Sequence, residues 1–482
     1  MKLRYILFTF FIGSLFGCKK DFLDITPKGQ LIPTTTADYR LILDFVGNKN
    51  SVGQKKTVLI TYGVVNLLAD DYQISDSTEY KAMITTDRKL WFQWGKNGGY
   101  NAELDDPDWY ACYGQIYIMN NALEGLPTAT GPQSDKDELI AEAKFHRAFC
   151  FLGLVNIYSK HYNPASAATD LGVPLRLTTS LTESLKRASV KETYDLIIAD
   201  LEAAIPNLLP TQGIYNFRPT TAAAYALLAR AYLYMGNYQK ALQNATASLG
   251  VTNFLYDYNV ALTRIFPVGT STTNNAFDAA FRSWDDKEIL VQKETAYNVS
   301  LYFYRYATIW GPTVRALYDT ATDLRFSNYF RKTTTGPGLT FAGHIRRWQD
   351  AVYFMQVGLT TPEMYLTRAE CYARLGLGDK VNAITDLNSL RIKRYITGTY
   401  TPYNAANYTD AQTLQLVKEE RRRELWCRGL RWFDLRRYNA FDNANYAPER
   451  YFTTDKLMPA DKGWVMPIGQ LYIDQNPEII QN

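Results

Sequence analysis

Residues 219–249 read PTTAAAYALLARAYLYMGNYQKALQNATASL. The first part, Pro219 to Met235, is rich in alanine and leucine, both strong helix formers. Gly236-Asn237 interrupts it as a turn. Tyr238, Ala241 and Ala245 then recur at helical spacing and start a second helix. The stretch is a helix–turn–helix whose small residues sit where the two helices touch closely.

The plan returns in residues 362–391, PEMYLTRAECYARLGLGDKVNAITDLNSLR. A helix runs from Pro362 to Leu375, Gly378-Asp379 makes the turn, and Ala383, Leu387 and Leu390 face the core. In both units an alanine follows the turn glycine at the same offset, Gly236 to Ala241 and Gly378 to Ala383. This is the tetratricopeptide plan. The two units are too far apart for a simple tandem array, so long insertions must separate the hairpins.

Upstream helices follow the same logic. Asp106-Pro107 reads as N-cap and first helical residue, opening a helix through Trp109, Tyr113, Ile116 and Tyr117 to Leu123. Asp137 to Ile157 aligns Phe145, Ala148, Phe149, Leu152 and Val155 on one stripe. Val190 to Ile205 places Tyr194, Ile197, Ile198, Leu201 and Ile205 inwards, and Pro206 ends it. Helical units are therefore expected near 109–158, 190–205, 219–249 and 362–391. Two insertions separate them. Residues 58–105 carry strand-like pieces and a Gly98-Gly99 turn; residues 252–360 are rich in Asn, Thr, Gly and aromatics, with a strand-like piece around Ile289–Lys293. Insertions on a rigid helical frame are where binding surfaces usually sit.

The N-terminus has a different character. Lys2 and Arg4 precede an apolar run from Tyr5 to Gly17, and then comes Cys18. The run is too short for a hydrocarbon core, which needs roughly 20 apolar residues. It fits a secretory signal peptide over residues 1–17. Leu15, Gly17 and Cys18 resemble a bacterial lipobox, in which the cysteine is acylated and becomes the mature N-terminus.

Composition narrows the classes. A hydrophobic content of 46% supports a sizeable core and excludes wholesale disorder. The formal charge of +4 is small for 482 residues and calls for no polyanionic partner. Cys112, Cys150, Cys371 and Cys427 form no CxxC pair and read as buried thiols. The acidic group Glu103, Asp105, Asp106 and Asp108 reads as a complement to a helix dipole rather than a metal site. His146, His161 and His344 lack metal or catalytic spacing, and no HExxH, GxSxG, P-loop or GxGxxG pattern occurs.

Residues 419–437, EERRRELWCRGLRWFDLRR, look at first like a nucleic-acid patch. Their arginines alternate with Glu419, Glu420, Glu424 and Asp434, so i,i+4 pairs such as Glu419–Arg423 and Glu424–Arg428 are expected. Trp426, Trp432 and Phe433 tie the stretch to packing. Its role is structural, and no nucleic acid is expected.

Set together, these features resemble the SusD/RagB family at six places between residues 18 and 482. Cys18 with Phe22-Leu23-Asp24 and Pro27 is similar to the CxxxFLDxxP opening. Trp109 to Leu126 resembles the WxxxYxxIxxxNxxLxxL helix, and Glu142 to Tyr158 with Gly172-Val173-Pro174-Leu175 the next family segment. There Cys150 and Leu152 stand where aromatics are usual. The tetratricopeptide-like units follow. Glu419 to Arg437 is similar to ERRRELxFEGxRWFDLRR, with Cys427-Arg428 in place of Phe-Glu, and Met466-Pro467-Ile468 with Asn476-Pro477 and Gln481-Asn482 to the family ending.

The resemblance implies a single domain over 18–482, mainly α, with tetratricopeptide-like hairpins in a right-handed superhelical scaffold. It implies a non-enzymatic lipoprotein of the outer membrane, facing the cell exterior. Such a protein delivers oligosaccharides, or in some members peptides, to a SusC-like TonB-dependent transporter. No cofactor is expected, and a structural calcium ion stays open. Sugar recognition needs aromatic faces for the apolar side of a pyranose, and carboxylates or amides for its hydroxyls. In the first insertion these are Asp71, Tyr72, Trp91, Trp94 and Asn97; in the second, Trp284, Asn298, Tyr304, Tyr306 and Trp310. For any single aromatic among them, core packing competes with ligand contact. A peptide receptor of the same family, a protein-binding tetratricopeptide adaptor and a surface hydrolase are the other readings.

Overall fold

The computed structural model describes residues 33–44, 60–62, 64–74, 91–95, 106–261, 286–295, 308–310, 312–329, 356–376, 380–426, 428–450 and 454–482. The expected signal peptide, Cys18, Cys427, His344 and the expected turns at Gly98-Gly99 and Gly378-Asp379 lie outside them.

Helices dominate. In chain order, those of eight residues or more are α1 (Thr36–Leu43), α2 (Pro107–Gly125), α3 (Gln133–Tyr158), α4 (Val190–Ala204), α5 (Thr221–Tyr234) and α6 (Tyr238–Val251). After the second insertion come α7 (Thr361–Leu375), α8 (Lys380–Arg391), α9 (Asp410–Glu424) and α10 (Arg431–Asp442). Local chemistry sets their starts. Thr35, Ser189 and Thr409 close capping boxes on α1, α4 and α9, and Asn237 accepts from the Lys240 amide at the start of α6. Asp106 caps α2 as expected, accepting from the Asp108 and Trp109 amides at 3.2 Å. It also accepts from the Tyr158 hydroxyl at 2.5 Å. Burial pushes its carboxyl up to about 7 despite these bonds.

Consecutive helices pack in sequence: α2 on α3, α3 on α4, α5 on α6 and α7 on α8. The α5–α6 turn holds Gly236 at φ +72°, a left-handed conformation that glycine adopts without steric cost. Ala222, Ala223, Ala226 and Ala229 on α5, with Ala241 and Ala245 on α6, are fully buried. The Ser248 hydroxyl on α6 donates to the Ala222 carbonyl at 2.9 Å, a bond possible only where the backbones run close. At its far side α6 packs on α7. The two tetratricopeptide-like units, remote in sequence, are thus neighbours in space.

Short strands pair across long distances. β1 (Ile60–Thr61) runs parallel to β6 (Glu294–Thr295), and β2 (Tyr72–Ile74) antiparallel to β7 (Thr308–Trp310). β3 (Leu171–Pro174) pairs with β4 (Arg187–Ser189), and β5 (Ile289–Val291) with β8 (Leu359–Thr360). The strand expected around Ile289–Lys293 is β5, fully buried.

Small differences have local causes. Ile205 and Pro206 leave α4 and form a 3-10 turn, because proline at its second position tolerates that tighter geometry. Cys112, Cys150 and Cys371 are buried, as the sequence suggested. No described helix is long and apolar enough to cross a membrane.

Candidate ligand face

The arginine-rich stretch 419–437 organises the site from behind. Arg423 takes Glu420 where Glu419 was expected, and several other charges of the stretch reach across the fold. Arg421 donates to Asp434 at 2.9 Å, joining α9 to α10. Arg437 donates to Asp434 at 2.9 Å and to Glu370 on α7 at 2.6 Å. Glu420 accepts from Arg325 at 2.6 Å and also from Arg391 and Arg423. Glu424 accepts from Arg325 at 2.8 Å and from Arg394, which also donates to Glu288 at 2.7 Å. Here these side chains are buried and must be matched by whatever packs on them. Burial alone would raise the Glu420 carboxyl, but Arg325, Arg391 and Arg423 outweigh it and hold it far below the usual range.

This block grips both insertions. Arg422 donates to Asp71 at 2.7 Å, to Asp70 at 3.3 Å and to the Thr313 hydroxyl at 3.0 Å. Arg431 chelates Asp70 at 2.8 and 2.9 Å. Burial opposes ionisation of both carboxyls, yet Arg431 and Arg422 hold Asp70 well down, whereas Asp71 stays raised. At the α9–α10 turn Gly429 takes φ +70°. A Cβ there would meet Val65 at 3.2 Å and Val357 at 3.3 Å, one from each insertion. The backbone of the turn is the seam where they meet.

From that seam the two insertions continue as paired strands. In the β2–β7 ladder Tyr72 stands opposite Trp310, Gln73 opposite Ile309 and Ile74 opposite Thr308. Gln73 pins β2 by donating to the Glu449 carbonyl at 2.8 Å. Two expected ligand residues, separated by about half the length of the chain, therefore share one register.

Other expected contacts are not on a ligand face. Trp94 is 2% exposed and Trp91 8%, both within the main apolar core. Trp94 donates its indole N–H to the Leu68 carbonyl at 2.9 Å and sits under the Arg450 guanidinium, 4.2 Å from the ring centre. Asp71 is 4% exposed and paired with Arg422. These three are corrected to structural roles: aromatic area and a charge partner were needed to close the base of the insertion. Asn97, Trp284, Asn298, Tyr304 and Tyr306 lie outside the described residues.

Arg450 is the residue that sequence reasoning missed. It is fully buried and donates to the carbonyls of Phe92 at 2.6 Å, Ala69 at 2.7 Å and Leu67. One side chain ties both ends of the first insertion's described core, and nothing in its sequence neighbourhood marks it.

Two histidines are among the described residues. His146 is buried 3.7 Å from Glu142, and burial with the nearby Lys293 charge lowers it to about 4. His161 packs edge-on to Phe441. Among the described residues no group of three or more His, Cys, Asp or Glu side chains is arranged to hold a metal ion.

Comparison with known proteins places this geometry. Residues 21–233 match a family described as SusD-like, starch-binding and associating with the outer membrane; residues 361–482 match the SusD family. A SusD-like protein P2 of Formosa agariphila is 26% identical over 253 residues, covering 51% of this chain and 46% of that relative. The chain thus spans about half the length of the curated relative it matches. A SusD superfamily protein of Bacteroides thetaiotaomicron superposes with a TM-score of 0.70 at 20% identity, covering 93% of this chain and 99% of the other. A laminarin-binding SusD-like protein superposes at 0.63 and 17% identity, covering 93% and 98%. The helical scaffold is common to all of them, the family models bracket the insertion that completes the candidate face, and the chain belongs to the SusD/RagB family.

Proposed function

We propose that the protein captures oligosaccharides or polysaccharides at the outer-membrane surface and hands them, uncleaved, to a SusC-like TonB-dependent transporter. The observation that carries this reading is the β2–β7 ladder, which joins the two insertions with Tyr72 opposite Trp310. In this reading Tyr72 and Trp310 supply the apolar faces that sugar rings need. Asn97, Trp284, Asn298, Tyr304 and Tyr306 complete the ligand set in this reading, and Cys18 carries the lipid anchor. Further support is the shared fold of a laminarin-binding relative.

The test is affinity electrophoresis and calorimetry on the chain from Lys19 onwards, against plant, host-mucin and microbial polysaccharides and a peptide panel. Binding without product release, weakened about tenfold or more by Tyr72→Ala or Trp310→Ala, is the expected result; loss of one stacked ring is worth ~1–2 kcal/mol. Trp94→Ala should instead lower stability by about 3–5 kcal/mol and leave the affinity of the folded fraction unchanged. Peptide binding alone would favour a peptide receptor, and release of shortened glycan would overturn the non-enzymatic reading.

A further inference from the structure

Arg230, Tyr234 and Arg421 come together in the dry space between α5, α7, α9 and α10. Arg230 on α5 donates to Glu363 on α7 at 2.8 and 2.7 Å. Arg421 on α9 donates to the Thr367 hydroxyl at 3.3 Å, one helical turn beyond Glu363 on α7. It also donates to Asp434 on α10 at 2.9 Å. Tyr234 stands one turn beyond Arg230, and its ring centre lies 5.6 Å from that of Phe433, the chain neighbour of Asp434. All three side chains are at most 1% exposed. Each keeps a buried donor that finds no partner among the described residues: Arg230 Nη1, Arg421 Nη2 and the Tyr234 hydroxyl.

Buried donors in this state call for an acceptor between them. Guanidinium N–H groups only donate, and burial pushes the Tyr234 hydroxyl up, so it too keeps its proton. The carboxylates at hand, Glu363 and Asp434, are already engaged by guanidinium groups. A water molecule would accept here, but its own two protons would have only the Tyr234 oxygen to go to. A small anion accepts from every donor and needs no acceptor of its own. The charges agree. Glu363 balances Arg230, whereas Arg421, Arg437, Arg374 and Lys418 are linked through only three carboxylates, Asp434, Glu370 and Asp442. We propose that Arg230, Tyr234 and Arg421 hold one small monovalent anion of the chloride class, between the two tetratricopeptide-like units and the α9–α10 block. It is trapped as these helices close, and it binds the folded chain alone, so its binding adds to stability.

Anion binding here is independent of glycan capture, so failure of either leaves the other standing. The chain from Lys19 onwards would be refolded from urea without halide. It would then be melted in sodium bromide or chloride against sodium gluconate at equal ionic strength. Raising halide from about 1 to about 100 mM should lift the Tm by about 2 °C over the gluconate control. Tyr234→Phe keeps the ring, removes one donor and should lose half or more of that rise. Arg421→Met should lose all of it; should that variant not fold, Tyr234→Phe decides. Equal rises in wild type and Tyr234→Phe would be a general salt effect and would overturn the proposal, as would no rise in wild type. Crystals grown in bromide should show an anomalous peak in contact with Arg230 Nη1, Arg421 Nη2 and the Tyr234 hydroxyl. Water in that place, or no density at all, sinks the idea. A bromide peak without the Tm rise is occupancy at crystal concentration only, and sinks it too.

Discussion

The α5–α6 hairpin and the α9–α10 block both contribute to the centre of the molecule, and they are held by opposite means. On α5, buried alanines let backbones approach until a serine hydroxyl reaches a carbonyl of the neighbouring helix. On α9, Glu420, Arg421, Arg423 and Glu424 are buried together and matched by charges from elsewhere in the chain. The first kind of contact is non-directional, and its energy changes gradually with volume. The second is conditional: each carboxylate is favourable only while every guanidinium around it is present. The hairpin is a spacer, whereas the block is a lock that closes only when both insertions are seated.

The largest expected break is Glu420→Ala. It leaves Arg325, Arg391 and Arg423 facing one another without their shared carboxylate, which should cost about 3–5 kcal/mol in urea denaturation. A loss below about 1 kcal/mol would show that these charges behave as surface pairs. The same lock has a pH signature. Glu370 and Glu420 have folded pKa values below their unfolded value of 4.5, so their contribution is present above that pH and lost as pH falls through the acid range. Wild type should lose stability steeply below pH 4.5, and Glu420→Ala should lose less of it there.

Ala229→Leu probes the spacer. Added volume on α5 should cost about 1–3 kcal/mol while the chain still folds cooperatively. A cost equal to that of Glu420→Ala would erase the distinction between the two regions.

The smallest effect is at the cap of α2, which titrates in the opposite sense. Asp106 has its folded pKa raised from 3.8 to about 7, so its neutral form is favoured in the fold. That stability is complete below the unfolded value and is lost as pH rises through about 7. Asp106→Asn keeps a capping oxygen and removes the titration. Between pH 5 and 7 wild type should lose about 1–2 kcal/mol that the variant retains. Equal slopes for the two proteins would place the titrating group elsewhere.

Much of the helical frame was legible beforehand because its signals are short-range. Asp106-Pro107, the stripe from Phe145 to Val155, Gly236-Asn237 and the repeated alanine offsets each act within a turn or two of helix. The family resemblance was carried by such local strings. The candidate face was legible only in outline. The two insertions were marked as its source, and they do meet at β2–β7. Within them, Trp94 carries the same residue chemistry whether it stacks on a sugar or under Arg450. An aromatic ring fits either environment, so composition cannot separate them.

By itself the sequence determined where helices begin and end, the hairpin plan and the family, because capping bonds and apolar periodicity link residues no more than a few positions apart. The tertiary structure alone decided that α6 packs on α7, that Arg422, Arg431 and Arg437 find Asp70, Asp71 and Glu370, and that Tyr72 pairs in register with Trp310. Those partners are brought together by chain packing over long separations, and a buried charge takes whichever opposite charge that packing delivers.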